Sequence, residues 1–130
     1  MPTTVPAMIT QGAEKPFERG TVERRDPRPH DVVIDIAYAG ICHSDIHMAR
    51  DEWAAGLFPM VPGHEIAGTV AAVGDEVSRY SVGDRVGVGC FVDSCRECEN
   101  CKAGEEQFCL EGEIQTCLLY TSDAADEQSC

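Results

Sequence analysis

Four cysteines fall within fifteen residues, at Cys95, Cys98, Cys101 and Cys109, separated by gaps of two, two and seven residues. Thiolates are soft donors, and a two-residue gap lets two sulfurs of one turn converge on one ion. The run therefore reads as a closed, tetrahedral zinc site. Such a site staples its lobe, because coordination energy is available only to the folded form. In zinc-finger peptides that contribution reaches roughly 10–16 kcal/mol at neutral pH. Two other chemistries compete for the same sulfurs. A bacterial ferredoxin run ends in a three-residue gap followed by Pro, whereas here the gap is seven and Leu110 follows Cys109. Two disulfides are the other alternative, opposed by the reducing compartment expected for this chain. The flanking Cys90 is expected to be a buried thiol, since four sulfurs already satisfy the ion.

A second group is more dispersed. Cys42-His43-Ser44-Asp45-Ile46-His47 is followed, twenty-two residues after Cys42, by Gly63-His64-Glu65. A thiolate and an imidazole from separate strand ends can form part of an open zinc site that keeps a position for solvent or substrate. Taken singly, each of these residues is as readily a packed core side chain.

The elements that must position these groups are short and punctuated by twelve glycines and seven prolines. Val32 to Tyr38 alternates, with Val32, Ile34, Ile36 and Tyr38 expected on one half-buried face. Ile66 to Val73 reads as a second strand ended by a Gly74-Asp75 turn, and Val77 to Val82 and Arg85 to Val92 as two more. Helical pieces are expected from Ser44, as N-cap, to about Asp51, and around Glu97 to Gly104. The pattern predicts a mainly β, barrel-like domain with short helices.

Composition narrows the function. Ten basic against 23 acidic residues give a net charge of −13, which repels phosphate backbones and anionic lipid, so neither nucleic acid nor membrane surface is expected as a partner. Aromatics are only 6% of the chain, leaving few platforms for stacking bases. No apolar run approaches the length of a membrane span. Met1 to Pro6 has neither a basic nor an apolar leader segment, so a cytoplasmic location is expected.

Read together, Gly40-Ile41-Cys42-His43-Ser44-Asp45, Pro62-Gly63-His64-Glu65, Val82-Gly83-Asp84-Arg85-Val86 and the four-cysteine lobe resemble the zinc-dependent medium-chain alcohol dehydrogenases. The likeness is strongest to the cinnamyl-alcohol-dehydrogenase or aldehyde-reductase type, and it covers residues 7 to 116. It implies a GroES-like, partly open β-barrel carrying a structural-zinc lobe. It also implies reversible hydride transfer between a small-molecule alcohol or aldehyde and NADP, with NAD as the alternative. By this resemblance Cys42 and His64 are catalytic zinc ligands, Glu65 sits beside the ion as an outer or transient ligand, and Asp45 orients His64. Ser44 would bond the substrate oxygen and begin a proton relay ending at His47. His43 would approach the cofactor phosphates, Trp53 would line the substrate pocket, and Cys95, Cys98, Cys101 and Cys109 would hold the structural zinc. Each has a plainer reading: Ser44 as a helix cap, Asp45 as a first-turn acid, His43 and His47 as solvent-facing, and Trp53 as core. His30 is assigned no role.

The chain also departs from that family. No G-x-G-x-x-G occurs, so the nucleotide-binding half and the third catalytic cysteine are expected to be missing. Cys117 to Glu127 matches one translated frame of a common transposase-type sequencing adapter. Residues 1–116 are accordingly expected to form a truncated catalytic domain and residues 117–130 a non-native tail. Removing the tail's three acidic residues, with no basic one, leaves a charge of −10, so the acidic balance stands. The 130-residue chain is expected to bind one zinc firmly and a second weakly, without turnover. The parent enzyme has a homo-oligomer among its candidate assemblies. A stand-alone zinc-binding module and an electron-transfer protein are the competing functions.

Overall fold

The computed structural model describes residues 3–53 and 57–116; the suspected tail at 117–130 lies outside them. Seven strands and three short helical segments follow one another as β1 (Thr3–Thr10), β2 (Phe17–Arg24), β3 (Val32–Ala39), α1 (His43–Ala49), β4 (Ile66–Val73), β5 (Arg85–Val88), β6 (Phe91–Asp93), α2 (Glu99–Lys102), a 3₁₀ turn (Glu106–Phe108) and β7 (Ile114–Gln115). All strand pairs are antiparallel. They form a β1–β2 hairpin, a β3–β4–β5 sheet and a small β6–β7 ribbon, with no closed barrel among the described residues. An isolated bridge between Thr10 and Met60 links the hairpin to the segment that leads to His64. Among the described residues no helix is long and apolar enough to cross a membrane.

The core is thin. Met60 and Val70 are each 1% exposed, and Thr10 is fully buried. Thr10 is tolerated there because its polar groups are satisfied: its backbone exchanges both bonds with Met60, and its hydroxyl lies 3.0 Å from the Gly12 carbonyl and 3.1 Å from that of Lys15. Asp31 is another buried polar anchor. One carboxylate oxygen pairs with Arg25 and accepts the Arg28 N–H at 2.8 Å, while its carbonyl accepts the Gly74 N–H. A Cβ on Gly74 would meet the carbonyls of Arg28 and Pro29 at 2.2 and 2.3 Å, so this close approach needs glycine.

The expected strands at 32–38 and 66–73 are present, and so are both helical pieces, shortened to His43–Ala49 and Glu99–Lys102. Four details differ. Ile36 and Tyr38 are 58% and 78% exposed rather than half-buried, and the β3–β4 register shifts between them. Residues 77–82 form loop instead of strand: Asp84 accepts the Ser81 N–H, and Gly83 and Asp84 bond Val70 directly. Arg85 to Val92 divides at Gly89-Cys90 into β5 and β6, which belong to different sheets. The β1–β2 hairpin has no counterpart in the sequence pattern, since charged residues interrupt its apolar alternation (Phe17-Glu18-Arg19, Val22-Glu23-Arg24).

With so small a core, single truncations weigh heavily. Met60→Ala is expected to lower unfolding free energy by about 2–5 kcal/mol, whereas Tyr38→Ala should stay within about 0.5 kcal/mol. Urea midpoints of the two variants check this contrast.

Candidate metal centres

The sealed group occupies the lobe between β6 and β7. Sγ atoms of Cys95, Cys98, Cys101 and Cys109 all lie within 4.8 Å of one another, with Cys101 and Cys109 buried. The Cys95–Cys101 sulfur separation is 3.8 Å. Zinc–sulfur bonds of about 2.3 Å in a tetrahedron require sulfur–sulfur edges of roughly 3.8 Å. The four thiols thus fit a tetrahedral ion of zinc's size. Backbone N–H groups of Glu97 and Cys98 point at Cys95 Sγ, at 3.4 and 3.3 Å, and that of Cys95 points at Cys109 Sγ, at 3.4 Å. Donors placed this way favour thiolate over thiol. Backbone bonds from Cys101 and Leu110 bring Cys98 down to about 6, and a backbone bond from Cys95 lowers Cys109. At Cys101 a hydrogen bond with the Ser94 hydroxyl acts downward, but burial and the neighbouring sulfurs prevail and push it up to about 11. Cys90, expected to be buried, is exposed: it lies at the β5–β6 break, outside the lobe.

The open group forms where the start of α1 meets the segment leading into β4. Cys42 is the N-cap of α1, with extended backbone. Asp45, not Ser44, secures this helix start: its Oδ2 accepts the Cys42 N–H at 2.9 Å, the reciprocal half of a capping box. Ser44 lies inside the first turn, with Oγ 3.5 Å from Cys42 Sγ. His64 is only 5% exposed and follows Gly63, whose φ of +136° favours glycine. The second oxygen of Asp45 stands 3.2 Å from His64 Nδ1. Cys42, His64 and Glu65 each offer a ligand atom within 4.8 Å of the others. Hydrogen bonding with the Ser44 side chain, then with its backbone, then with His64, draws the Cys42 thiol below its ordinary value. One sulfur, one imidazole nitrogen and one carboxylate suit a divalent ion that keeps an exchangeable position.

His43, His47 and Trp53 assemble beside this group. Positions 43 and 47 share one face of α1, and their rings stand 4.7 Å apart, tilted by 56°. Trp53 stacks on His47 at 4.7 Å and 23°, and at 62% exposure it is not core. His47 Nδ1 also pairs with Glu52. Glu52 and Ser94 are functional candidates absent from the sequence reading. Neither has a motif of its own, and an acid five residues after His47 is the only signal Glu52 offers.

The profile of the alcohol dehydrogenase GroES-like domain family matches residues 28–124, and the chain belongs to that family. It is 60% identical over 126 residues to NADP-dependent alcohol dehydrogenase C of Mycobacterium bovis, covering 97% of this chain and 36% of that protein. To the probable formaldehyde dehydrogenase AdhA of Bacillus subtilis it is 67% identical over 104 residues, covering 80% of this chain and 30% of that one. The cinnamyl alcohol dehydrogenase of Helicobacter pylori, solved with NADP(H), superposes with a TM-score of 0.84 at 46% identity, over 89% of this chain and 33% of that one. A cobalt- and zinc-bound thermostable alcohol dehydrogenase from Pyrobaculum aerophilum gives 0.71 at 31% identity, over 86% and 35%. The chain thus spans about a third of the length of these relatives.

Ligand protonation makes lobe affinity pH-dependent. The Cys101 thiol, at about 11, must release its proton as metal binds. Apparent zinc affinity should therefore fall about tenfold or more for each unit of decreasing pH. The fall should steepen below about 6, where Cys98 also becomes protonated. Competition against a chromophoric chelator between pH 5 and 8 measures the slope.

Proposed function

We propose that residues 1–116 are the zinc-binding catalytic domain of an NADP-dependent alcohol dehydrogenase that interconverts alcohols and aldehydes. The nucleotide-binding domain and a third catalytic cysteine lie in the remainder of the enzyme. The observation that carries this reading is the Cys42, His64 and Glu65 group, with Asp45 behind the imidazole and Ser44 beside the sulfur. Cys95, Cys98, Cys101 and Cys109 hold a structural zinc that stabilises the lobe.

Cys42 and His64 would hold a zinc ion, which would supply Lewis acidity towards an alcohol or carbonyl oxygen, with a nicotinamide cofactor as hydride carrier. The chain's own residues orient and deprotonate. Asp45 stands at Nδ1 of His64 and fixes its tautomer, which leaves Nε2 to face the metal. Ser44 accepts the hydrogen bond of the alcohol hydroxyl and passes the proton outward. His47 receives it at the half-buried edge of α1, where its Nδ1 pairs with the Glu52 carboxylate. Glu65 is an outer or transient ligand. His43, exposed at the first position of α1, reaches towards the cofactor phosphates, and Trp53 forms a wall of the alcohol pocket.

Metal analysis tests the two-site reading. The purified chain should bind two zinc ions, one firmly and one weakly, and Cys42→Ser should bind one. Identical stoichiometry in both forms would overturn the open site. The 130-residue chain should oxidise no NADPH in the presence of an aldehyde, and measurable turnover would refute the placement of the missing machinery elsewhere. In the complete enzyme, Ser44→Ala should lower kcat for aldehyde reduction by about 100-fold or more.

A further inference from the structure

Gly40 lies between the end of β3 and Cys42, and its φ is outside the left-handed region. Conformational freedom therefore gives no reason for glycine at this position. The reason lies across the strand end. The Gly40 N–H donates to the Glu65 carbonyl at 2.7 Å, so the two residues face each other just beyond the Ala39–Ile66 pair. A Cβ on Gly40 would lie 2.2 Å from Glu65 Oε2, 2.9 Å from its Cβ and 3.2 Å from its Cδ. The volume that any side chain would fill is the path taken by the Glu65 side chain towards Cys42 and His64.

We infer that Gly40 is the positioning residue for Glu65: its bare Cα admits the carboxylate over the open metal site. Burial does not hold Glu65 there, since the residue is exposed and can swing into solvent. A methyl group at position 40 would displace the carboxylate outward and open the strand end by several tenths of an ångström to relieve the Cβ contact. The inference rests on the reading of Cys42 and His64 as ligands, and adds a residue that touches no ion itself.

Cobalt titration of the chain, with its lobe first filled by zinc, tests it through the thiolate-to-cobalt absorption of Cys42. Gly40→Ala should weaken cobalt binding by about 10–100-fold, the usual effect of losing an outer-shell support. Glu65→Ala should weaken it comparably, and the Gly40→Ala/Glu65→Ala double variant should bind as Glu65→Ala does. Unchanged affinity in Gly40→Ala overturns the inference, as does a double variant in which the two losses multiply, because Gly40 would then act through general distortion of the strand. A wild-type chain that takes up no second ion overturns the open-site reading and this inference together.

Discussion

The two oxygens of Asp45 serve two parts of the molecule at once. Oδ2 holds the N–H of Cys42 and so determines where α1 begins, while Oδ1 faces Nδ1 of His64, which follows Cys42 by twenty-two residues in sequence. Asp45 is 7% exposed, a costly place for a charge: Oδ2 is hydrogen-bonded, whereas Oδ1 has only the 3.2 Å ion-pair contact with His64. Because the same group sets the helix start and the imidazole, the thiol and the ring nitrogen cannot be adjusted independently. A shift of α1 moves Cys42, Ser44 and His47 together and disturbs the orientation of His64. The Thr10–Met60 bridge stabilises the other side of this arrangement, since it ties the hairpin to the segment that delivers His64.

The two metal groups differ in how their donors are prepared. In the lobe, backbone N–H groups aimed at sulfur supply the electrostatics, and the four thiols share a short stretch of chain. At the open group the supporting partners are mostly side chains, Ser44 beside the sulfur and Asp45 behind the imidazole, while the bare Cα of Gly40 leaves room for the carboxylate. Backbone donors are fixed by the fold, whereas side-chain partners can rearrange as substrate enters. A closed ion that only stabilises and an accessible one that exchanges ligands call for these different supports.

The four-cysteine grouping was legible in the sequence, because its ligand spacing is local, whereas the Ser94 contact to Cys101 was not. The Cys42 and His64 pair was not legible from spacing alone; the family resemblance joined them, and the fold brings them within ligand distance. What escaped was set by tertiary context. The β1–β2 hairpin carries charges where a half-buried strand would carry apolar residues, and the break at Gly89-Cys90 is invisible in a continuous run of small and branched residues. Ser44 looked like the cap because serine favours that position, but the back-bond of Asp45 placed the helix start two residues earlier. Cys90 was expected to be a buried thiol because four sulfurs already satisfy the ion, yet it lies exposed between β5 and β6.

That position has a consequence for how such a chain changes over evolutionary time. The lobe departs after Cys90 and returns at Thr116, whose N–H donates to the Cys90 carbonyl and whose hydroxyl donates to that of Gly89. Entry and exit therefore touch, closed by the β6–β7 ribbon, so the intervening residues form a detachable cassette. Such a cassette can be lengthened, exchanged or deleted across a single junction without altering the register of the β3–β4–β5 sheet.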